Sequence, residues 1–121
     1  MAEPDFTHAF PIGSYIPADI ADCFRELDSI LPAGTIAKIR DCDEAYLALH
    51  HFGLSMWMRN NWGLWSADSR LKRYFEGLGV DHADSASSII LTAYWHYLNK
   101  QPADLQRLIV YDKMLRAKIQ E

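Results

Sequence analysis

The polar residues that could carry chemistry are concentrated in one otherwise apolar stretch, residues 43–65, which reads DEAYLALHHFGLSMWMRNNWGLW. His51, Ser55 and Arg59 recur at every fourth position, so on a helix they stack along one face. An arginine beside the N-terminus of a following helix attracts anions. One hypothesis is therefore a polar trough that binds an anionic ligand or a partner's carboxylate, formed by His51, Arg59, Asn61, Ser69 and Arg70. Further candidates for ligand or partner binding are Ser55, Asn60, Trp62 and Trp65.

A purely structural interpretation of the same residues stays open. The ends of buried helices leave amides and carbonyls that side chains must satisfy. Arg59, Asn60 and Asn61 could do only that, and clamp the corner formed by residues 62–65 to its neighbours.

Catalytic and metal-binding patterns are weak. Ser55 lies one helical turn from His51, but nothing in the sequence supplies an oxyanion hole or an orienting acid. His82 and Asp84 form an H-x-D pair that could bind a ligand or partner, whereas a zinc site needs roughly three or four ligands. The sequence predicts no catalytic residue, no metal ion and no cofactor, and it favours a non-enzymatic role without deciding the question.

Composition indicates one compact domain. The 121 residues are 50% hydrophobic and 23% charged, which allows a core that needs no metal or disulfide. The net charge of −4 makes nucleic acid an unfavoured partner and suits a basic protein partner. Cys23 and Cys42 are expected as free thiols, with a disulfide or a metal ligand as alternatives. The N-terminus lacks a signal-peptide pattern and no apolar run spans a bilayer, so we expect a cytoplasmic protein without membrane association.

Periodicity predicts an all-α fold of about five to six helices around a buried central helix. That central helix would start at Asp41 or Asp43, end at Gly63 and be buried, because it is apolar almost all round. One edge carries Ala45, Leu49, Phe52 and Met56, and the opposite side carries Leu47, Leu54 and Met58. Three regions are expected: an extended arm at residues 1–16, a helical core domain at residues 17–100, and a C-terminal helix at residues 101–121. The last would pack on the core, form a homodimer or receive a partner.

The other element boundaries follow from capping and proline signals. Pro17 predicts the first turn of a helix, and Thr35 predicts the cap of a short helical turn. Asp84 or Ser85 would cap a helix from residue 86, and Pro102 would start the last helix, whose apolar stripe includes Leu115.

Two blocks of the sequence resemble a family of small bacterial domains of unknown function. HHFGLSMWMRNNWGLW at residues 50–65 is similar to the family pattern H-x-G-L-x-M-W-x-R-N-N-W-G-L-W. SRLKRYFEGLGVDHADSASSIILTAYWHYLN at residues 69–99 is similar to the segments that follow it. The resemblance covers roughly residues 20–100 and implies a fold unit without an assigned activity.

The leading functional hypothesis is a small protein-binding module, and in its sharper form an immunity- or antitoxin-type protein that neutralises a bacterial toxin by direct binding. The alternative is a ligand-sensing or catalytic domain that uses the trough between His51 and Arg59. A nucleic-acid adaptor is the least favoured hypothesis. It would use Arg70, Lys72 and Arg73 with Trp62 or Trp65 as stacking surfaces.

Overall fold

The computed structural model describes residues 15–120, with side chains as far as residue 118, and this part of the chain is all-α. Within it, no strand separates the seven α-helices α1 Ile20–Ile30, α2 Ala33–Asp41, α3 Leu47–His50, α4 Phe52–Asn61, α5 Arg70–Gly77, α6 Ala83–Leu98 and α7 Leu105–Gln120. A short 3-10 turn, Glu44–Tyr46, leads into α3. The all-α prediction is confirmed for these residues. Most of the predicted N-terminal arm lies outside them.

Capping side chains fix where two of the helices begin. The carboxylate of Asp19 accepts a hydrogen bond from the Asp22 amide, so α1 begins at Ile20 and not at Pro17. Ser69 accepts from the Lys72 amide and starts α5.

Two other predicted caps are wrong. Thr35 is a buried residue inside α2, which starts two residues earlier behind Pro32. The helix predicted from residue 86 begins at Ala83, with His82 in the capping position. Asp84 and Ser85 therefore lie inside the helix, and neither has the predicted capping role. The His82 side chain makes no capping hydrogen bond.

The predicted continuous helix through residues 43–63 is interrupted at His51. The backbone of His51 has φ −125° and ψ 32°, which ends α3 and starts α4 as a separate helix. This segment was predicted to be buried all round, but Leu49 is 74% exposed and Phe52 58%, and the edge formed by Ala45, Leu49, Phe52 and Met56 faces solvent. The buried side is the opposite one, with Leu47, Leu54 and Met58, because only that side is covered by another helix.

The central helix of the fold is α6, which contacts all six other α-helices. Its small and apolar residues are buried on several sides at once, which lets neighbouring helices approach closely: Ala83, Ser85, Ala86, Ser87, Ile89, Ile90, Leu91, Ala93 and Tyr94. The central helix therefore lies at residues 83–98, whereas the sequence predicted it at residues 43–63.

The aromatic end of α6 joins it to α1 and α2. The hydroxyls of Tyr94 and Tyr97 both donate to the Asp28 carboxylate, at 2.7 and 2.6 Å. Burial, followed by this hydrogen bond, raises the pKa of Tyr94. The indole of Trp95 donates to the Cys42 carbonyl at 2.8 Å, so this aromatic cluster is a packing layer.

Helix α7 packs on α6 through its first half only. Ile109 is buried, and Leu105 and Leu108 are partly buried against the core. Beyond Ile109 the apolar residues Val110, Tyr111, Met114 and Leu115 are exposed, so the core covers only the first part of the predicted apolar stripe.

Cys23 and Cys42 are both free, and Cys23 is completely buried. Burial raises the pKa of the Cys23 thiol well above its usual range, which makes that thiol unreactive. Within the described part of the chain, no helix has the length and apolarity that crossing a membrane requires.

Candidate functional site

The stripe of His51, Ser55 and Arg59 does not form an open trough. His51 is only 4% exposed and Ser55 is also buried, on the side of α4 that packs against α6. The guanidinium of Arg59 donates to the hydroxyl of Ser87 on α6 at 3.1 Å, and that hydroxyl donates to the Asp84 carbonyl at 3.0 Å. The predicted trough is filled by helix packing, which corrects the ligand-site interpretation of these three residues.

Asn61 and Ser69 hold the corner that follows α4. The amide of Asn61 donates to the Trp57 carbonyl at 3.0 Å, and the hydroxyl of Ser69 donates to the Trp62 carbonyl at 2.7 Å. Gly63 turns the chain with φ +67°, directly against Ser69. These contacts fit the structural interpretation, in which polar side chains satisfy backbone groups at a buried helix end.

Arg70 faces the N-terminal segment. Its Nε donates to the Ile16 carbonyl at 2.7 Å, its guanidinium carbon lies 5.3 Å from the Tyr15 ring centre, and Nη2 lies 4.0 Å from Asp22. None of these partners is shared with the Ser87 contact of Arg59. Arg59 and Arg70 therefore have no contact partner in common, and these contacts do not join them in the predicted pocket.

The other basic residues of α5 also bind backbone carbonyls. Lys72 donates to the Asp81 carbonyl and Arg73 to the Asp68 carbonyl, which ties the loops on either side of the helix to it. Trp62 is completely buried and offers no stacking face. The nucleic-acid hypothesis therefore loses one of its two aromatic surfaces.

Five large apolar side chains are exposed between the turn before α3 and the corner after α4, and we name them the apolar strip: Tyr46, Leu49, Phe52, Met56 and Trp65. Phe52 and Met56 are four residues apart, so they lie along one side of α4. Leu49 lies in α3, before the break at His51. Asn60 is one turn beyond Met56, and its side-chain oxygen accepts a hydrogen bond from the Trp65 indole at 3.1 Å. Trp65, 64% exposed, extends the strip at that end.

Charged groups border the apolar strip on both sides of its centre. The guanidinium carbon of Arg59 lies 5.8 Å from the Phe52 ring centre. At the Tyr46 end stand three exposed acids in close sequence, Asp41, Asp43 and Glu44. A hydrogen bond from Arg40 lowers the pKa of Asp41, which keeps that carboxylate ionised at neutral pH. The strip therefore combines apolar bulk with acidic residues at its Tyr46 end and an arginine beside Phe52.

His82 and Asp84 are both exposed at the start of α6. His82 Nε2 lies 3.5 Å from the Asp81 carboxylate, and the described residues contain no group of three or more side chains suited to hold a metal ion. Instead, His82 lines a cleft of about 250 Å³ between the loop before α6 and helix α7. Its α7 wall includes Lys113 and Arg116, which the sequence pointed to only as part of a basic helix.

The chain belongs to the family described as "Domain of unknown function (DUF6794)", whose model matches residues 16–98. The match runs from the segment before α1 to the end of α6 and includes the whole apolar strip. It ends before α7, so one wall of the cleft lies outside it. Neither the curated proteins nor the solved structures gave a match to this chain.

Proposed function

We propose that this protein is a small binding module whose protein partner docks on the apolar strip. The observation that carries the proposal is the exposure of five large side chains between the turn before α3 and the corner after α4, three of them aromatic. Exposed apolar patches with polar borders are typical of protein interaction sites, and their anchors are enriched in aromatic residues and methionine. The fold does not use the exposed side of α4, because α6 covers the opposite face.

The charge around the strip favours a basic partner. The chain carries a net charge of −4, and Asp41, Asp43 and Glu44 are exposed at one end of the strip. Complementary charge at the border of an interface raises the association rate more than the affinity. A partner with an apolar anchor flanked by lysines or arginines fits both features.

The more specific form of the proposal is an immunity- or antitoxin-type protein that covers the active surface of a basic bacterial toxin. It would act in the cytoplasm, where the free thiols of Cys23 and Cys42 are the ordinary state. The toxin-neutralisation proposal can be tested once the crosslinking experiment described below has identified the partner. An equimolar amount of this protein should abolish the partner's toxicity or enzymatic activity, and strip variants should fail to do so.

A site-specific crosslink tests the binding proposal. Phe52→p-benzoylphenylalanine places a photoreactive group within the strip, and Glu76→p-benzoylphenylalanine places the same group at an exposed position on α5. After irradiation in cells of the organism that encodes the chain, we expect one discrete adduct from position 52 and none from position 76. Tyr111→p-benzoylphenylalanine reports on the predicted homodimer through α7, which would give an adduct of twice the chain's mass.

Variants of the strip provide the second arm of the experiment. Leu49→Asp combined with Trp65→Ala should remove the adduct formed at position 52, while circular dichroism and the midpoint of thermal unfolding stay near those of the parent. Asp43→Asn with Glu44→Gln should slow association, and added salt should do the same. An adduct that persists in the Leu49 and Trp65 double variant, or forms equally at position 76, would contradict the proposal.

A further inference from the structure

A second surface, separate from the apolar strip, combines several hydrogen-bond donors with one buried hydroxyl. It is the cleft of about 250 Å³ between the loop that precedes α6 and the middle of α7. The residues that matter for its chemistry are Gly79, His82 and Ser85 on one wall and Asp112, Lys113 and Arg116 on the other.

The first wall contains the N-terminus of the longest buried helix. Helix α6 has 16 residues, and no side chain accepts a hydrogen bond from the amides of its first turn among the described residues. The amide of Ala86 is satisfied by the His82 carbonyl, whereas the amides before it have no such intrahelical partner. Unsatisfied amides and the helix dipole together give this end a partial positive charge that attracts anions.

The hydroxyl of Ser85 is an independent observation at the same place. Ser85 lies in the first turn of α6, is only 2% exposed and lines the cleft. Its Oγ has no hydrogen-bond partner in the described part of the chain. A buried hydroxyl without a partner destabilises the fold, so such groups usually have a ligand or water. The hydroxyl can donate to an acceptor held in the cleft.

The opposite wall supplies positive charge. The ammonium of Lys113 lies against Gly79, within 3.0 Å of the position that a Cβ would occupy there, and it has no carboxylate partner among the described side chains. Arg116 is held in place by a 3.3 Å ion pair between its Nε and the Asp112 carboxylate. Asp112 is thereby engaged, which leaves Lys113 as the cation that can meet an anion beside Ser85.

We propose that this cleft binds a phosphate group, either as inorganic phosphate or as the phosphate of a small phosphomonoester. A tetrahedral oxyanion accepts hydrogen bonds in several directions, and the residues that line the cleft include two side-chain donors beside the first turn of α6: the hydroxyl of Ser85 and the ammonium of Lys113. The size of the cleft suits a phosphate with a small organic group. The site does not depend on the binding of a protein to the apolar strip.

The test is a titration of the full chain, labelled with nitrogen-15, with inorganic phosphate and separately with ribose 5-phosphate at constant ionic strength. We expect saturable shifts of the amide resonances of Asp84, Ser85 and Gly79. Tighter binding of ribose 5-phosphate than of phosphate would identify a phosphomonoester as the ligand, and equal binding would identify the free ion. Ser85→Ala and Lys113→Ala should each weaken binding at least about tenfold.

Two controls distinguish phosphate binding by Ser85 and Lys113 from a purely structural role of these residues. Lys118→Ala removes the same charge from an exposed position of α7 outside the cleft and should leave affinity unchanged. Ser85→Ala should leave the midpoint of thermal unfolding unchanged or raise it, because it removes a hydroxyl that lacks a partner. Shifts that do not saturate, or an equal loss of binding in Lys113→Ala and Lys118→Ala, would overturn the proposal.

Discussion

At the scale of single residues, the corner after α4 depends on a close approach between Gly63 and Ser69. Gly63 has φ +67°, and a Cβ built there would lie 2.9 Å from the Cβ of Ser69. That closeness brings the Ser69 hydroxyl within 2.7 Å of the Trp62 carbonyl while Ser69 also caps α5. The corner therefore requires a glycine both for its backbone conformation and for the space beside it.

Gly63→Ala should destabilise the protein by at least about 1–2 kcal/mol, because alanine is strained at positive φ and its methyl group would push Ser69 away. The matched control is Gly34→Ala in α2, where a Cβ would meet nothing within 4 Å. That change should leave stability unchanged or raise it by up to about 1 kcal/mol. Urea unfolding of both variants measures the difference, and similar losses in the two would contradict this account.

The candidate site could be predicted from the sequence only in part, and the residue types explain why. The sequence identified Arg59, Asn61 and Ser69 as polar residues near the end of a helix that would bind either a ligand or backbone groups. It could not tell a bond to a ligand from a bond to the backbone, because both need the same donors and acceptors. The Ser87 partner of Arg59 is 28 residues away along the chain, so no local pattern indicates it.

At the scale of the elements, the apolar strip results from the break at His51 and from the one-sided cover of α4. The sequence of α3 and α4 is apolar almost all round, so periodicity alone does not decide which face is buried. Packing decides it, because α6 covers the side that carries Leu54 and Met58. The face with Leu49 and Phe52 is left to solvent.

Two leucines on opposite faces test this arrangement. Leu54→Ala should lower the free energy of unfolding by about 2–5 kcal/mol, because Leu54 is fully buried and its loss leaves a cavity. Leu49→Ala should change it by less than about 0.5 kcal/mol, because that side chain is 74% exposed. Chemical denaturation monitored by circular dichroism compares the two. A larger loss of stability in Leu49→Ala than in Leu54→Ala would mean that the face with Leu49 is the buried one.

At the scale of the whole molecule, Asp22 connects three parts of the chain. Its carboxylate accepts hydrogen bonds from the Tyr15 hydroxyl at 2.5 Å, the Ala18 amide at 2.9 Å and Arg25 at 3.1 Å. Arg70 of α5 lies 4.0 Å away. The bond from Tyr15, followed by that from Ala18, lowers the pKa of Asp22.

A carboxylate whose pKa is lower in the folded than in the unfolded state stabilises the fold above its unfolded pKa of about 4. That stabilisation is lost as the pH falls through the folded value. Asp22→Asn should therefore reduce the free energy of unfolding at pH 7 by about 1 kcal/mol, and the difference from the parent should shrink below about pH 4. Urea titrations at pH 7, 5 and 3 measure it. Asp68→Asn, an exposed control, should show no such dependence on pH, and a constant difference for Asp22→Asn would contradict the argument.

The fold class followed from periodicity, but the arrangement of helices did not. Proline and capping signals are local features, so the starts of α1 and α6 were predicted to within a few residues. The central position of α6 depends on contacts with six helices along the whole chain, which a local pattern does not contain. The same limitation explains why the exposure of Leu115 was not predicted. Leu115 continues the apolar stripe of α7 beyond the part of that helix that packs against α6.

The four tryptophans of the chain occupy different environments, which makes the protein its own optical probe. Trp57 and Trp62 are buried with their rings 5.7 Å apart, Trp95 is partly buried, and Trp65 stands in solvent on the apolar strip. Collisional quenchers such as acrylamide reach an exposed indole far more readily than a buried one. Trp65 should therefore supply most of the quenchable emission, and a protein that covers the strip would remove that component and shift the spectrum to shorter wavelengths.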